Sequence, residues 1–221
     1  MFKGLFNPDN AVLRAITRFG YIWWLNILWL VCSLPIITIG ASTTALIYSC
    51  MKLRKDEGYP TRNFFHSFKE NFGQSTLIWL LYLVVGLCIA WGFIFWNHST
   101  LFFAKVAWAV VLAVAIAYGI SFMFVFAIQS KFYNSIKDTI RFSFLVPIHN
   151  LKETILIAMI VGAVIILNVC TTFIVNFFTM NLGIGALAYY LGMHYETIFK
   201  QYVPETEEPD PDEWHLEEKE V

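Results

Sequence analysis

The sequence predicts an all-α protein, a polytopic membrane helix bundle, from its composition and from the spacing of its charges. Of its 221 residues, 58% are hydrophobic and only 14% are charged, whereas about a quarter of the residues in a soluble domain carry a charge. Residues 19–51 and 154–195 contain no Asp, Glu, Lys or Arg, over stretches of 33 and 42 residues. Each stretch exceeds the roughly 20 apolar residues that one membrane crossing needs.

The first uncharged stretch is interrupted near its middle by Pro35 and Gly40. Proline removes a helical hydrogen bond and disfavours helix in the residue before it. The stretch is therefore either one long kinked helix or a hairpin of two short helices. The hairpin places 14 of the 15 Lys and Arg residues on one side, with Lys105 as the exception. The positive-inside rule favours this arrangement and makes that side cytoplasmic.

The remaining segments extend this pattern to six membrane helices, arranged as three hairpins with interfacial amphipathic helices. Further spans are expected over residues 73–96 and 106–130 and twice within 154–195, where the break is expected near 179–183. Short amphipathic helices are expected before the first span, over residues 61–72, and over residues 135–146. The protein is thus predicted to cross a membrane several times, with both termini in the cytoplasm.

Charge also divides the chain into two parts. Residues 1–204 carry 14 basic and seven acidic side chains and form the predicted membrane-embedded domain. Residues 205–221 carry nine acidic side chains and one Lys. This acidic tail has too little apolar content to fold alone and is predicted to be a disordered cytoplasmic segment.

Two groups of residues are candidates for a site. The first follows the proline break and is rich in small side chains: Pro35, Gly40, Ala41, Ser42, Thr43, Thr44 and Ala45. Such a cluster lets another helix approach closely, or it lines a groove for a substrate or partner. The second group is basic: Lys52, Arg54, Lys55, Arg62 and Lys69. This group is an anchor for anionic membrane lipids, or a surface on which a cytoplasmic partner docks.

Several functional classes are disfavoured by what the sequence lacks. On this topology no charged residue lies at the middle of the membrane, where ion- and proton-coupled transporters usually carry one. The sequence has no phosphate-binding loop, no nucleophile elbow and no zinc-protease motif. We therefore expect a protein that is not an enzyme, holds no metal or cofactor, and binds no nucleic acid.

Three segments resemble the YesL-like family of bacterial membrane proteins: FNPDNAVLR, LVCSLPIITIGASTTALIYSCMKLRKDEGY and FFHSFKENFGQSTLIWLLY. This family, found mainly in Firmicutes, is a domain of unknown function. The resemblance covers about residues 5–200 and is strongest over residues 32–46 and 64–81. It brings no catalytic or binding residues with it.

Members of this family are often encoded beside components of carbohydrate ABC importers. The resemblance therefore implies an accessory or assembly subunit of an oligosaccharide importer, with membrane lipids and the importer permease as partners. Two alternative functions are a stand-alone transporter or channel for a small solute and a membrane-embedded sensor or regulator. A second copy of this chain, in a homo-oligomer, is the alternative to the permease as partner.

Overall fold

A computed structural model describes residues 11–98 and 102–202, and within these ranges every regular element is a helix. The all-α prediction is therefore confirmed. The acidic tail lies outside the described residues. The helices are α1 (Ala11–Cys32), α2 (Ile39–Arg54), α3 (Pro60–His98), α4 (Ala104–Lys131), α5 (Ile136–His149), α6 (Leu151–Cys170), α7 (Phe173–Phe178) and α8 (Ile184–Phe199).

Five of the helical segments are long and apolar enough to cross a membrane. They are Leu13–Cys32, Ile36–Arg54, Pro60–Asn97, Ala104–Lys131 and Leu151–Cys170. The chain is thus a multi-pass membrane protein. The sixth predicted span corresponds to α7, a π-helical turn (Thr179–Gly183) and α8 in succession, so it is a composite rather than one regular helix.

The first uncharged stretch folds as the predicted hairpin. α1 ends at Cys32, the chain reverses through Pro35 and a short 3-10 turn, and α2 returns beside α1. The two helices are antiparallel, since Trp29 Nε1 donates to Thr43 Oγ1 at 3.2 Å. The Thr38 hydroxyl donates to the Cys32 carbonyl at 2.5 Å and so satisfies a backbone acceptor at the end of α1. A reversal inside a membrane needs such partners for its backbone.

α2 is the central helix of the bundle, in contact with α1, α3, α4 and α8. Its closest approach is to α3 at Gly40, where a Cβ atom would lie 2.3 Å from the Ser75 carbonyl oxygen and 2.6 Å from Trp79 Cβ. Four residues further on, Thr44 Oγ1 and Ser75 Oγ lie 3.0 Å apart in a buried hydrogen bond. Only glycine permits this separation of the two backbones.

The prediction of a separate short helix over residues 61–72 is wrong. α3 runs without interruption through 39 residues, about 58 Å at the helical rise, which is nearly twice the thickness of the hydrocarbon core. Gly73 does not stop it, because one glycine costs a helix only about 1 kcal/mol. The amphipathic helix expected over residues 135–146 is separate, as α5, and begins where the Ser135 hydroxyl accepts from the Asp138 amide at 3.2 Å.

The break expected near residues 179–183 is also misplaced. The helix ends instead at Cys170 and resumes at Phe173, and residues 179–183 form the π-helical turn. A π turn disturbs the regular ladder of backbone hydrogen bonds. Here Asn26 of α1 supplies partners: its Nδ2 donates to the Met180 carbonyl at 2.8 Å, and its Oδ1 accepts from the Gly185 amide at 2.7 Å. The chain therefore stays helical where its sequence suggests a turn.

We predict that Gly40→Ala destabilises the protein. The new methyl group has to displace the backbone of α3 at Ser75, and overpacking of this kind costs typically about 1–3 kcal/mol of unfolding free energy. Unfolding in detergent, followed by circular dichroism, measures the loss. The matched control is Gly119→Ala in α4, where a Cβ atom meets nothing within 4 Å. An unchanged unfolding free energy for Gly40→Ala would contradict the close packing of α2 on α3.

Candidate site at the basic end of the helices

The basic residues singled out from the sequence lie where α2 ends and α3 begins. Lys52 and Arg54 are in the last turn of α2, and Lys55 follows it directly. Arg62 and Lys69 are exposed on the first turns of α3. In contrast, Lys105 lies in the first turn of α4, at the opposite end of that helix from Lys131.

A pocket of ≈ 100 Å³ opens between the C-terminal ends of α2, α4 and α8. Four lysines and two glutamates line it together with three aromatic or apolar side chains. The lining residues are Tyr48, Met51, Lys52, Lys55, Glu57, Lys131, Glu196, Phe199 and Lys200. The basic end thus forms a concave site that combines ammonium groups with an apolar wall.

The loop between α2 and α3 turns back over the end of α2. This reversal uses left-handed backbone conformations at Asp56 (φ 57°) and Gly58 (φ 66°). Asn63 Nδ2 holds the loop by donating to the Glu57 carbonyl at 2.8 Å. The Glu57 carboxylate is thereby brought into an ion pair with Lys52 and to 3.9 Å from Lys55 Nζ.

The second glutamate of the pocket ties α8 to α2. Glu196 Oε2 lies 3.6 Å from Arg54 Nε, and the Arg54 guanidinium also lies over the Tyr189 ring at 5.3 Å from its centroid. A cation over an aromatic face gains about 0.5–1 kcal/mol or more. On the same helix, two residues before Glu196, His194 Nδ1 lies 2.7 Å from Glu153 Oε2 and links α8 to α6.

A hydrogen bond outside the pocket joins α3 to the connection between α4 and α5. The Tyr133 hydroxyl donates to Glu70 Oε1 at 2.6 Å. This bond to a carboxylate raises the pKa of Tyr133 to about 12. The phenol therefore stays neutral, and remains a donor, throughout the physiological pH range.

The interior next to the basic end contains a layer of neutral polar side chains between α3, α4 and α5. Gln129, which is 3% exposed, donates to Asn71 Oδ1 at 3.1 Å and to Gln74 Oε1 at 2.7 Å. Its own carbonyl oxygen accepts from the Thr139 hydroxyl at 3.1 Å. One amide thus connects three helices.

A second polar group lies deeper in the same interior. The hydroxyl groups of Tyr82, Ser121 and Ser143 hydrogen-bond one another, with Ser121 and Ser143 at 2.5 Å. The Tyr118 hydroxyl donates to the Tyr82 carbonyl at 3.0 Å. Like the Gln129 group, this cluster joins α3, α4 and α5, and its polar atoms are partnered within the chain.

The small-residue cluster lies away from the basic pocket, in the first half of α2. Gly40, Ala41, Ser42, Thr44 and Ala45 are buried, Thr43 is half-buried, and Pro35 is exposed in the turn before α2. Their buried surfaces pack against helices of this chain: Gly40 and Thr44 face α3, and Ala45 belongs to an apolar cluster with residues of α1.

Sequence reasoning missed Tyr48, Lys131, Glu196 and Lys200 as members of one site. A usable signal exists, because Lys131 ends α4, while Glu196 and Lys200 are the first charges after the 42-residue uncharged stretch. Charges that terminate separate spans meet when those spans end at the same level. Within residues 11–98 and 102–202, no group of three His, Cys, Asp or Glu side chains is placed to hold a metal ion.

Fold and site together define a multi-pass, all-α membrane protein with a basic pocket at one end of its helices. A family model described as a protein of unknown function, DUF624, matches residues 22–93. The match takes in most of the α1–α2 hairpin and most of α3. No curated protein and no solved structure matches the chain.

We predict that Gln129→Leu lowers the unfolding free energy by about 1–3 kcal/mol. The substitution leaves buried polar atoms of Asn71 and Thr139 without the partner that Gln129 supplies, which costs more than the net value of the bonds removed. The control is Gln201→Leu, an exposed position beyond α8, where we expect a change within about 0.5 kcal/mol. Equal stability of the two variants would show that the Gln129 layer does not hold these helices together.

Proposed function

We propose that the protein is a non-enzymatic subunit that binds another integral membrane protein, and that this partner is the permease of an ABC importer for oligosaccharides. The observation that carries the proposal is the position of α6. It packs mainly on α5 and α8, and, as in α3, only 11% of its most apolar 18-residue window is buried within the chain. A largely apolar helix held at the edge of a bundle by two neighbours offers a long surface to a second membrane protein.

The second half of α6 presents most of its surface outward. Its exposed positions are Ala163, Ile165, Ile166, Leu167, Val169 and Cys170. Among them lies Gly162, where a Cβ atom would meet nothing within 4 Å. Association of membrane helices relies on close packing at small residues, since lipid tails are as apolar as leucine. Gly162 and Ala163 supply such a position for a partner helix.

The choice of an importer permease as partner is supported by the resemblance to the YesL-like family, through the carbohydrate importer components encoded beside its members. Orientation is part of the same proposal. The basic pocket faces the cytoplasm in a bacterial membrane, because positively charged loops are retained on that side. A cytoplasmic position would also bring the pocket to the side on which an importer's ATP-driven subunits bind.

A stand-alone transporter is the second candidate. The observation in its favour is the series of buried neutral polar groups between α3, α4 and α5. It extends from Asn71 and Gln129 to Tyr82 and Ser143. Such groups can coordinate a sugar hydroxyl when helices separate. In the structure, however, they hydrogen-bond one another.

We predict that a photo-crosslinking residue at position 166 captures a permease subunit in native membranes. Ile166 is 63% exposed on α6. The matched control is the same residue at position 84, because Val84 is 60% exposed on the apolar surface of α3. A partner seated on α6 gives a cross-link from position 166 and none from position 84, and mass spectrometry identifies the captured protein.

Capture of lipid alone from position 166 would contradict the accessory role, as would capture of another copy of this chain in place of a permease. Sugar-loaded liposomes that contain only the purified protein test the second candidate. Release of an oligosaccharide above that from sugar-loaded vesicles without the protein supports a stand-alone transporter. Vesicles that retain their sugar, together with a cross-link from position 166 to a permease subunit, support the accessory role.

A further inference from the structure

We infer that the basic pocket binds the phosphoester headgroup of an anionic membrane lipid. The pocket lies at the ends of three helices, two of which, α2 and α4, are long and apolar enough to cross the membrane. Lipid headgroups occupy this level, and basic pockets between membrane helices are suited to them. Its volume of ≈ 100 Å³ is several times the space that one water molecule needs, so a phosphoester group can enter.

The charge of the lining favours an anion. Four lysines face two glutamates, which leaves a formal charge of +2. Both glutamates are already engaged by cations, Glu57 by Lys52 and Lys55, and Glu196 by Arg54. Part of the lysine charge offsets the partial negative charge at the C-terminal ends of α2, α4 and α8. The lining as a whole is thus net positive, which favours an anionic phosphoester over a neutral or cationic group.

The apolar part of the lining favours a lipid over a soluble phosphate. Met51 is 6% exposed and Phe199 is 2% exposed, and both border the pocket beside the lysines. A lysine can place its methylene groups along such a wall and its ammonium group at the headgroup level. The glycerol and first acyl carbons of a lipid can contact the wall while the phosphoester meets the ammonium groups.

The two lysines among the residues that sequence reasoning missed provide the sharpest test. Lys131 ends α4 and Lys200 follows α8, so both approach the pocket from helices other than α2. The variant Lys131→Gln/Lys200→Gln removes two positive charges from the lining. The matched control is Lys137→Gln/Lys152→Gln, which removes two exposed charges from α5 and α6, outside the pocket lining.

The experiment measures the affinity of the full chain, in a nonionic detergent, for three probes. They are short-chain phosphatidylglycerol, short-chain phosphatidylcholine and glycerol 3-phosphate. We expect phosphatidylglycerol to bind most tightly. The pocket variant should weaken its binding about 25-fold and Lys200→Gln alone about fivefold, at about 1 kcal/mol for each lysine. The control variant should bind like the unmodified protein, and higher salt should weaken binding by the unmodified protein.

Four results would overturn the proposal. Equal affinity for phosphatidylglycerol and phosphatidylcholine would mean that the pocket does not select an anion. Equal losses in the pocket and control variants would mean a diffuse electrostatic attraction. If phosphatidylglycerol is preferred only after residues 205–221 are removed, the acidic tail and not a lipid is the occupant of the pocket in the full chain. Glycerol 3-phosphate binding as tightly as phosphatidylglycerol would assign it to a soluble phosphoester. Lys200→Gln keeps the test valid if the double variant does not fold.

Discussion

The contact between α2 and α3 at Gly40 is the constraint on which the rest of the structure depends. Burial from water does not drive helices together within a membrane, so association rests on close packing and on hydrogen bonds between helices. Gly40 allows the backbone of α2 to reach that of α3, and Thr44 and Ser75 add a buried hydrogen bond beside it. Because α2 also contacts α1, α4 and α8, its position determines where the other helices lie.

The neutral polar residues of the spans have a shared physical role in this fold. Three irregular points of backbone within the bundle each have a polar side chain as hydrogen-bond partner. Asn26 serves the π turn, Trp79 Nε1 donates to the Ile36 carbonyl in the first reversal at 2.8 Å, and Thr154 donates to the Pro147 carbonyl near the end of α5 at 2.9 Å. Since lipid offers no water to these groups, the irregular backbone and its partners have to occur together.

The sequence was sufficient for features that depend on local breakers and on charge. Pro35 and the distribution of Lys and Arg predicted the first hairpin, and the uncharged stretches predicted the membrane helices. It was insufficient where a distant side chain decides the outcome. Nothing local to residues 179–183 shows that Asn26, more than 150 positions earlier, keeps that turn helical. The pocket was hidden for the same reason, because Tyr48 and Lys200 meet only after α2 and α8 have packed.

The end of α8 connects the pocket with the helix at the edge of the bundle. Glu196 lines the pocket and pairs with Arg54 of α2, while His194, two residues earlier, contacts Glu153 at the start of α6. Gly192 lies on the side of this segment that faces α2, since a Cβ atom there would be in ordinary contact with Met51, 3.5 Å from its Cγ. One short segment of α8 therefore fixes both the shape of the pocket and the attachment of α6.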